Sequence, residues 1–201
     1  MTSPSSDNIP RTVALKEPGR SAHIRRAIVE DIDDLWRLER AVIEDGRGVV
    51  RTMDDLAPLN GFRARLAKRL HKPETETRGV LLVAVDPPTG LLMSIGEVWR
   101  LGPTLIRHVG SLSLEVHPRF QGLGVGRATL TAMLDWAIYG GGASAPHPIR
   151  RLELTVRGDN VRAQHLYRKV GFTRESVRKG FVRTPDGTLV DDWMMVRFFE
   201  R

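Results

Sequence analysis

The sequence contains no cysteine. That excludes disulfides, thiolate-bound zinc and a thiol nucleophile. No apolar run approaches the roughly 20 residues that span a bilayer. Residues 1–20 lack the apolar centre of a secretory signal, so no membrane association and a cytoplasmic location are expected. Dense blocks of lysine and arginine are missing too, although the formal net charge is +7. Scattered basic residues favour anionic ligands but argue against a nucleic-acid partner. Aromatic residues make up only 6%, and Trp36, Trp99, Trp136 and Trp193 read as core or groove wall rather than as a stacking platform for bases. The histidines His23, His71, His117, His147 and His165 stand at no metal-ligand spacing, so no metal site is expected. There is no internal repeat.

What is present is an ordinary globular composition. Of 201 residues, 41% are hydrophobic and 27% charged, which suits one soluble domain. Residues 1–20 are rich in Ser and Pro without apolar periodicity and predict a disordered tail; residues 21–201 predict a single domain. His23 to Ala27 alternates as a strand does. Glu30 to Glu44 places Ile32, Leu35, Trp36, Leu38, Val42 and Ile43 at helical spacing. A second helix is predicted from Thr52 or Met53 to Lys72, with Thr52 as its cap. Strands follow over 78–85, 91–101 and 109–116, the first two joined by a turn at 86–90. The spacing then predicts a helix over 124–139, a glycine-rich link over 140–146, a strand over 151–156 and a helix over 160–169. A terminal hairpin turns at Pro185-Asp186-Gly187. The order β-α-α-β-β-β-α-β-α-β-β predicts a mixed α/β domain: a mostly antiparallel sheet of six or seven strands with helices on both faces.

One segment carries chemistry. Gln121-Gly122-Leu123-Gly124-Val125-Gly126-Arg127 lies between a strand and a helix. Glycines there let the chain turn tightly and bring N–H groups against a ligand, and the following helix offers its positive end to an anion. Phosphate or pyrophosphate binding needs this arrangement; a plain glycine turn is the alternative. Arg127 breaks the dinucleotide fingerprint, and the Gly-Lys-Ser/Thr of a nucleotide P-loop is absent. A second cluster, Asn160-Val-Arg-Ala-Gln-His-Leu-Tyr167 followed by Gly171-Phe172, sets Asn160 and Tyr167 seven apart, near one helical face. Taken alone, Asn160 reads as a helix cap and Tyr167 as a core aromatic.

Gln-x-x-Gly-x-Gly at Gln121, Gly124 and Gly126, preceded by Leu114-Glu-Val-His-Pro118, resembles the signature of the Gcn5-related N-acetyltransferases (GNAT). Asn160 and Tyr167 follow in the family's order. The resemblance covers about residues 27–198 and is strongest over 112–172. It implies acetyl-CoA as donor, with the pantetheine arm against Leu114, Glu115 and Val116. It implies that the N–H groups of Gly122 to Arg127 hold the pyrophosphate, and that Asn160 binds the cofactor. It further implies direct attack of a primary amine on the thioester, with Tyr167 protonating the departing thiolate and the Val116 N–H polarising the carbonyl. The C-terminal pattern of Gly171, Gly187, Val190-Asp191 and Met195 is similar to the branch that acetylates amino acids and other small amines. A small-molecule amine is therefore the expected acceptor, and members of the family often form homodimers.

The base stays open. Some relatives that acetylate protein amino termini carry a Glu five residues before the motif Asn, where Thr155 stands here. Glu153, Glu115 and Glu97 are the candidates, with His108 near them and a water chain as the other route. Glu44, beside Asp45 and Arg47, lies where such proteins admit the acceptor, and Asp191 is placed to hold its ammonium or simply to flank a turn. Three other readings stand beside the small-amine enzyme: a protein N-terminal or lysine acetyltransferase, a non-catalytic acetyl-CoA-binding module and, from the +7 charge, acetylation of a charged tRNA.

Overall fold

The computed structural model describes residues 9–71, 78–139 and 148–199. The predicted 140–146 link lies outside them, as do residues 1–8 of the predicted tail. Eight strands form one sheet: β1 (Arg11–Ala14), β2 (Ser21–Arg26), β3 (Gly79–Val85), β4 (Leu92–Arg100), β5 (Val109–Val116), β6 (Arg151–Arg157), β7 (Thr173–Arg183) and β8 (Leu189–Phe198). Their spatial order is β1-β2-β3-β4-β5-β6-β8-β7. Every pairing is antiparallel except β5 with β6. Among the described residues four α-helices join them: α1 (Ile32–Asp45), α2 (Leu59–Leu70), α3 (Val125–Tyr139) and α4 (Val161–Lys169). The mixed α/β domain matches the predicted order, with one strand more than the six or seven expected.

The extra strand is β1, in the segment read as a tail. Its burial alternates only between partly buried and exposed. Such a strand has no apolar signature of its own and is held by the edge of β2, from Arg11↔Ile24 to Ala14↔Ser21. The second helix also departs from expectation. Thr52 starts a single 3-10 turn over Met53–Asp55, where Asp55 accepts from the Thr52 N–H at 2.8 Å. The α-helix begins only after Pro58, because a residue before proline is held out of the helical region.

The sheet is two-sided, and each face has its own core. On one face α3 and α4 pack over Met93, Val98, Leu112, Leu152, Leu154 and Met195. On the other, α1 and α2 cover Leu81, Val83 and Leu92. The stripe Ile32, Leu35, Leu38, Val42 and Ile43 gives α1 its buried side. Its start is fixed by Asp31, which accepts from the Ile28 N–H at 2.8 Å and takes both Arg25 amines at 2.6 and 2.7 Å. Its end is fixed by Gly46, whose φ of 70° closes the last turn. α3 lies close on β4 because Gly96 has no side chain: a Cβ there would stand 2.5 Å from Met133 Sδ. Among the described residues no helix is long and apolar enough to cross a membrane.

Leu130 is fully buried where α3 meets the sheet. Leu130→Ala is expected to lower stability by about 2–5 kcal/mol, measured by urea denaturation. A loss under about 1 kcal/mol would contradict this packing.

Candidate functional site

The site starts from a pairing that stops. β5 and β6 run parallel and pair only as Val109↔Arg151, Gly110↔Leu152 and Ser111↔Glu153. Beyond that, β5 stays on β4 as far as Val116, and β6 stays on β8 as far as Arg157. A gap therefore opens between residues 112–116 and 154–157. The backbone along it is directional. The His117 N–H donates to the Met93 carbonyl at 2.9 Å, and Val116 stands opposite Ser94. Polar groups in an antiparallel ladder alternate between neighbours. Leu114 and Val116 thus turn theirs toward the gap, whereas Glu115 turns its own to β4. An extended ligand laid in the gap can pair with Leu114 and Val116 as an added strand would.

The glycine loop closes one end of the gap. Gly122 and Gly124 have φ of 88° and 96°, a region that side-chain-bearing residues avoid. The first hydrogen bond of α3 runs from the Ala128 N–H to the Gly124 carbonyl at 3.0 Å. The preceding N–H groups of Gly124, Val125, Gly126 and Arg127 are the ones a helix start leaves without helical acceptors. They and the α3 dipole make a seat for an anion. Gly126 lets the helix sit near β5, since a Cβ there would lie 3.2 Å from Val116 Cγ2. Gln121 locks the loop to both sides: its amide donates to the Val116 carbonyl at 3.4 Å, and its oxygen accepts from Arg162 of α4 at 3.3 Å.

α4 lies along the other arm. Asn160 is its cap, with Oδ1 accepting from the Ala163 N–H at 3.1 Å. Tyr167 is buried on the same helix and packs edge-on against Phe172 at 5.9 Å. Its hydroxyl has no hydrogen-bond partner among the described residues, and burial pushes the phenol up to about 12. It therefore stays protonated at neutral pH and can act as a proton donor. Between Asn160 and Tyr167 lies Gln164, also buried, whose amide donates to the carbonyls of Arg157 at 3.1 Å and Gly158 at 2.9 Å. Sequence reasoning missed Gln164, yet a polar residue on the buried face of a short helix was a usable signal.

The carboxylates divide sharply. Leu112, Leu114 and Val116 face α3 and α4, so Glu115 faces α1. There it meets Arg51 at 2.5 Å, and Arg51 also holds Glu39 of α1. Burial raises the Glu115 pKa, and Arg51 only partly offsets it. Glu97 lies on the same face and is taken by Arg69 of α2 at 2.6 Å. Glu153 sits where β5 and β6 are still paired, bound to Arg151 at 3.0 Å in a network with Glu175. Glu44 pairs with Arg40 on exposed α1 surface at 2.8 Å. The Asp191 carboxylate accepts from Lys179 at 2.7 Å and from the Gly180 N–H at 3.0 Å, contacts that hold it below the usual carboxylate range. Only Glu115 thus stands on the open part of the gap. Its partners Glu39 and Arg51 went unpredicted, because sequence gives no sign of pairings 64 residues apart. Residues 46–52 span both arms: a Cβ on Gly48 would strike the Asn160 amide at 2.0 Å, and the Val49 carbonyl accepts from Arg157 at 2.8 Å.

Residues 92–172 match the family model described as the Acetyltransferase (GNAT) family. The chain is 36% identical over 94 residues to an N-alpha-acetyltransferase RimI of Mycobacterium tuberculosis, covering 47% of this chain and 53% of that one. It is 35% identical over 85 residues to a [ribosomal protein bS18]-alanine N-acetyltransferase of Haemophilus ducreyi, covering 42% and 54%. The chain thus spans about half the length of the curated relatives it matches. Its fold is that of a GNAT superfamily phosphinothricin acetyltransferase from Sinorhizobium meliloti, solved in complex with acetyl-CoA. That match has a TM-score of 0.70 and 19% identity, covering 89% of this chain and 88% of that one.

The chain has two tyrosines, so Tyr139→Phe isolates Tyr167. Its tyrosinate absorbance is expected to rise with a midpoint near 12. The folded value lies above the ordinary one near 10. The neutral phenol therefore adds stability that is present below about pH 10 and is lost as pH climbs toward 12. A midpoint near 10 would mean that the ring is not desolvated.

Proposed function

Because residues 92–172 match the GNAT acetyltransferase family model, we propose that the chain transfers an acetyl group from acetyl-CoA to a primary amine. One observation carries the reading: a strand pair that parts beside Leu114 and Val116, with a glycine-built anion seat at one end and a buried, protonated Tyr167 on the facing helix. The pyrophosphate sits on the N–H groups of the loop that ends in α3. The pantetheine arm pairs with Leu114 and Val116. The Val116 N–H points at the thioester oxygen and stabilises the charge that develops there.

In the reaction, the amine nitrogen forms a bond to the acetyl carbon and the carbon–sulfur bond breaks. The sulfur takes the phenolic proton of Tyr167, which solvent later restores. The amine's surplus proton leaves to Glu115, whose burial makes it a better base than an ordinary carboxylate. Arg51 and Glu39 position Glu115 and leave the cluster with a net negative charge, which suits an incoming ammonium.

The acceptor we favour is the α-amino group of a peptide or protein. The names of the two curated relatives support it, and so does chemistry. An α-amine with a pKa of about 7.7–8.0 is partly neutral at pH 7 and needs little help from a base, whereas a lysine near 10.4 needs much. Thr155 stands where some relatives that acetylate protein amino termini carry a glutamate, so Glu115 takes the part of the base here. The small-amine reading is the second one, favoured by residues 46–52, which are fastened to both strands that bound the gap.

Thiol release from acetyl-CoA with short peptides, free amino acids and polyamines separates these readings. Peptides with a free amino terminus are expected to turn over at least about tenfold faster, and the reverse order would establish the small-amine enzyme. Tyr167→Phe is expected to reduce turnover by about 100-fold while acetyl-CoA still binds. Unchanged turnover would remove Tyr167 from the role of acid.

A further inference from the structure

The glycine loop has a neighbour from outside the matched segment. After β1 the chain turns through residues 15–20 and lies on the loop. The Lys16 N–H donates to the Leu123 carbonyl at 3.0 Å, and a Cβ on Gly124 would stand 3.3 Å from Lys16 Cγ. The arm is tied down on both sides of this contact. Arg11 pairs with Asp135 of α3 at 2.5 Å, and Arg20 reaches Asp86 at 3.7 Å and packs over the Phe120 ring at 5.8 Å. The turn is closed by the Leu15 N–H on the Arg20 carbonyl at 2.9 Å.

The charges around the loop are uneven. The arm's two arginines are neutralised, and Glu17 is taken by Arg20 at 3.4 Å. Lys16 makes no ion pair with any described carboxylate, and neither do Arg127 or Arg162. Arg162 stands on the opposite side, its Nη2 3.9 Å from where a Gly122 Cβ would be. Three cations from three separate elements thus surround one loop without a counter-charge. Arg25, Arg63 and Arg151 on other parts of the surface are paired with carboxylates, whereas these three cations converge on a single loop.

We infer that residues 9–20 are part of the donor site, and that Lys16 binds a phosphate of the donor opposite Arg162. The inference rests on the acetyl-CoA reading and adds to it a ligand that the motif-bearing segment does not contain. The ammonium is a mobile point charge on a long stem, suited to a phosphate oxygen at the rim of the site. The strand pairing of β1 holds its backbone in place, so that only the side chain is ordered on binding.

Calorimetric titration of the full chain with acetyl-CoA, 3′-dephospho-acetyl-CoA and S-acetylpantetheine tests this. Lys16→Ala is expected to weaken acetyl-CoA binding by about three- to tenfold, Lys16→Glu by more, and Lys16→Arg by less than about twofold. The equal-charge control Lys68→Ala on α2 is expected to bind like the wild type. S-acetylpantetheine, which has no pyrophosphate, is expected to bind all of them equally. A loss that persists with the 3′-dephospho donor assigns the contact to the pyrophosphate; one that vanishes assigns it to the 3′-phosphate. Wild-type affinity in Lys16→Ala would overturn the inference alone. An equal loss toward S-acetylpantetheine would also overturn it, making the arm a packing element. No binding of acetyl-CoA by the wild-type chain would overturn the donor reading itself.

Discussion

Two parallel strands that pair for three residues and then part are the constraint from which the site follows. β5 cannot stay on both of its neighbours, because β4 holds it to Val116 while β8 draws β6 away with seven paired residues. The interruption leaves alternate backbone groups of β5 without a partner strand, which in a complete sheet would be a defect. In the proposed function it is the means of recognition: the row is open to an extended ligand, and the crossover from β5 to β6 delivers the glycine loop and α3 to the end of that row.

The two faces of the sheet divide the chemistry. On the α3 and α4 side, burial keeps Tyr167 neutral, and packing against Phe172 fixes its ring. On the α1 side lie the charges: Glu39, Arg51 and Glu115. In the proposed reaction a proton donor needs a dry surrounding that disfavours its anion, and a site for an ammonium needs carboxylates within reach of water. Separating them by one strand thickness lets both conditions hold within a single gap.

The features on which the proposed donor half rests were legible in the sequence because they are local. Gly122 and Gly124 occupy positions that demand glycine, and Asn160 and Tyr167 share a helix whose period is readable. The acceptor half was not. Glu115 is an unremarkable strand residue until Arg51 arrives from a loop, and Glu153, Glu44 and Asp191 have the right charge but are satisfied by Arg151, Arg40 and Lys179. β1 was invisible for a related reason: it buries little, so its pattern has no amplitude, and its order comes from the strand beside it. Pro58 shows the converse, a strong local rule that delayed a helix whose composition alone had started it too early.

The segment after α1 gives the gap a property that neither strand has by itself. Val49 is fastened to β6 through Arg157, and Arg51 is fastened to β5. For the two strands to zip together, both fastenings would have to break. Residues 46–52 therefore act as a wedge that stops the sheet from completing itself. An exposed row of backbone donors and acceptors is ordinarily an invitation to a foreign strand and to aggregation. Bracketed by these two fastenings, the row is an interruption inside the sheet rather than a free edge.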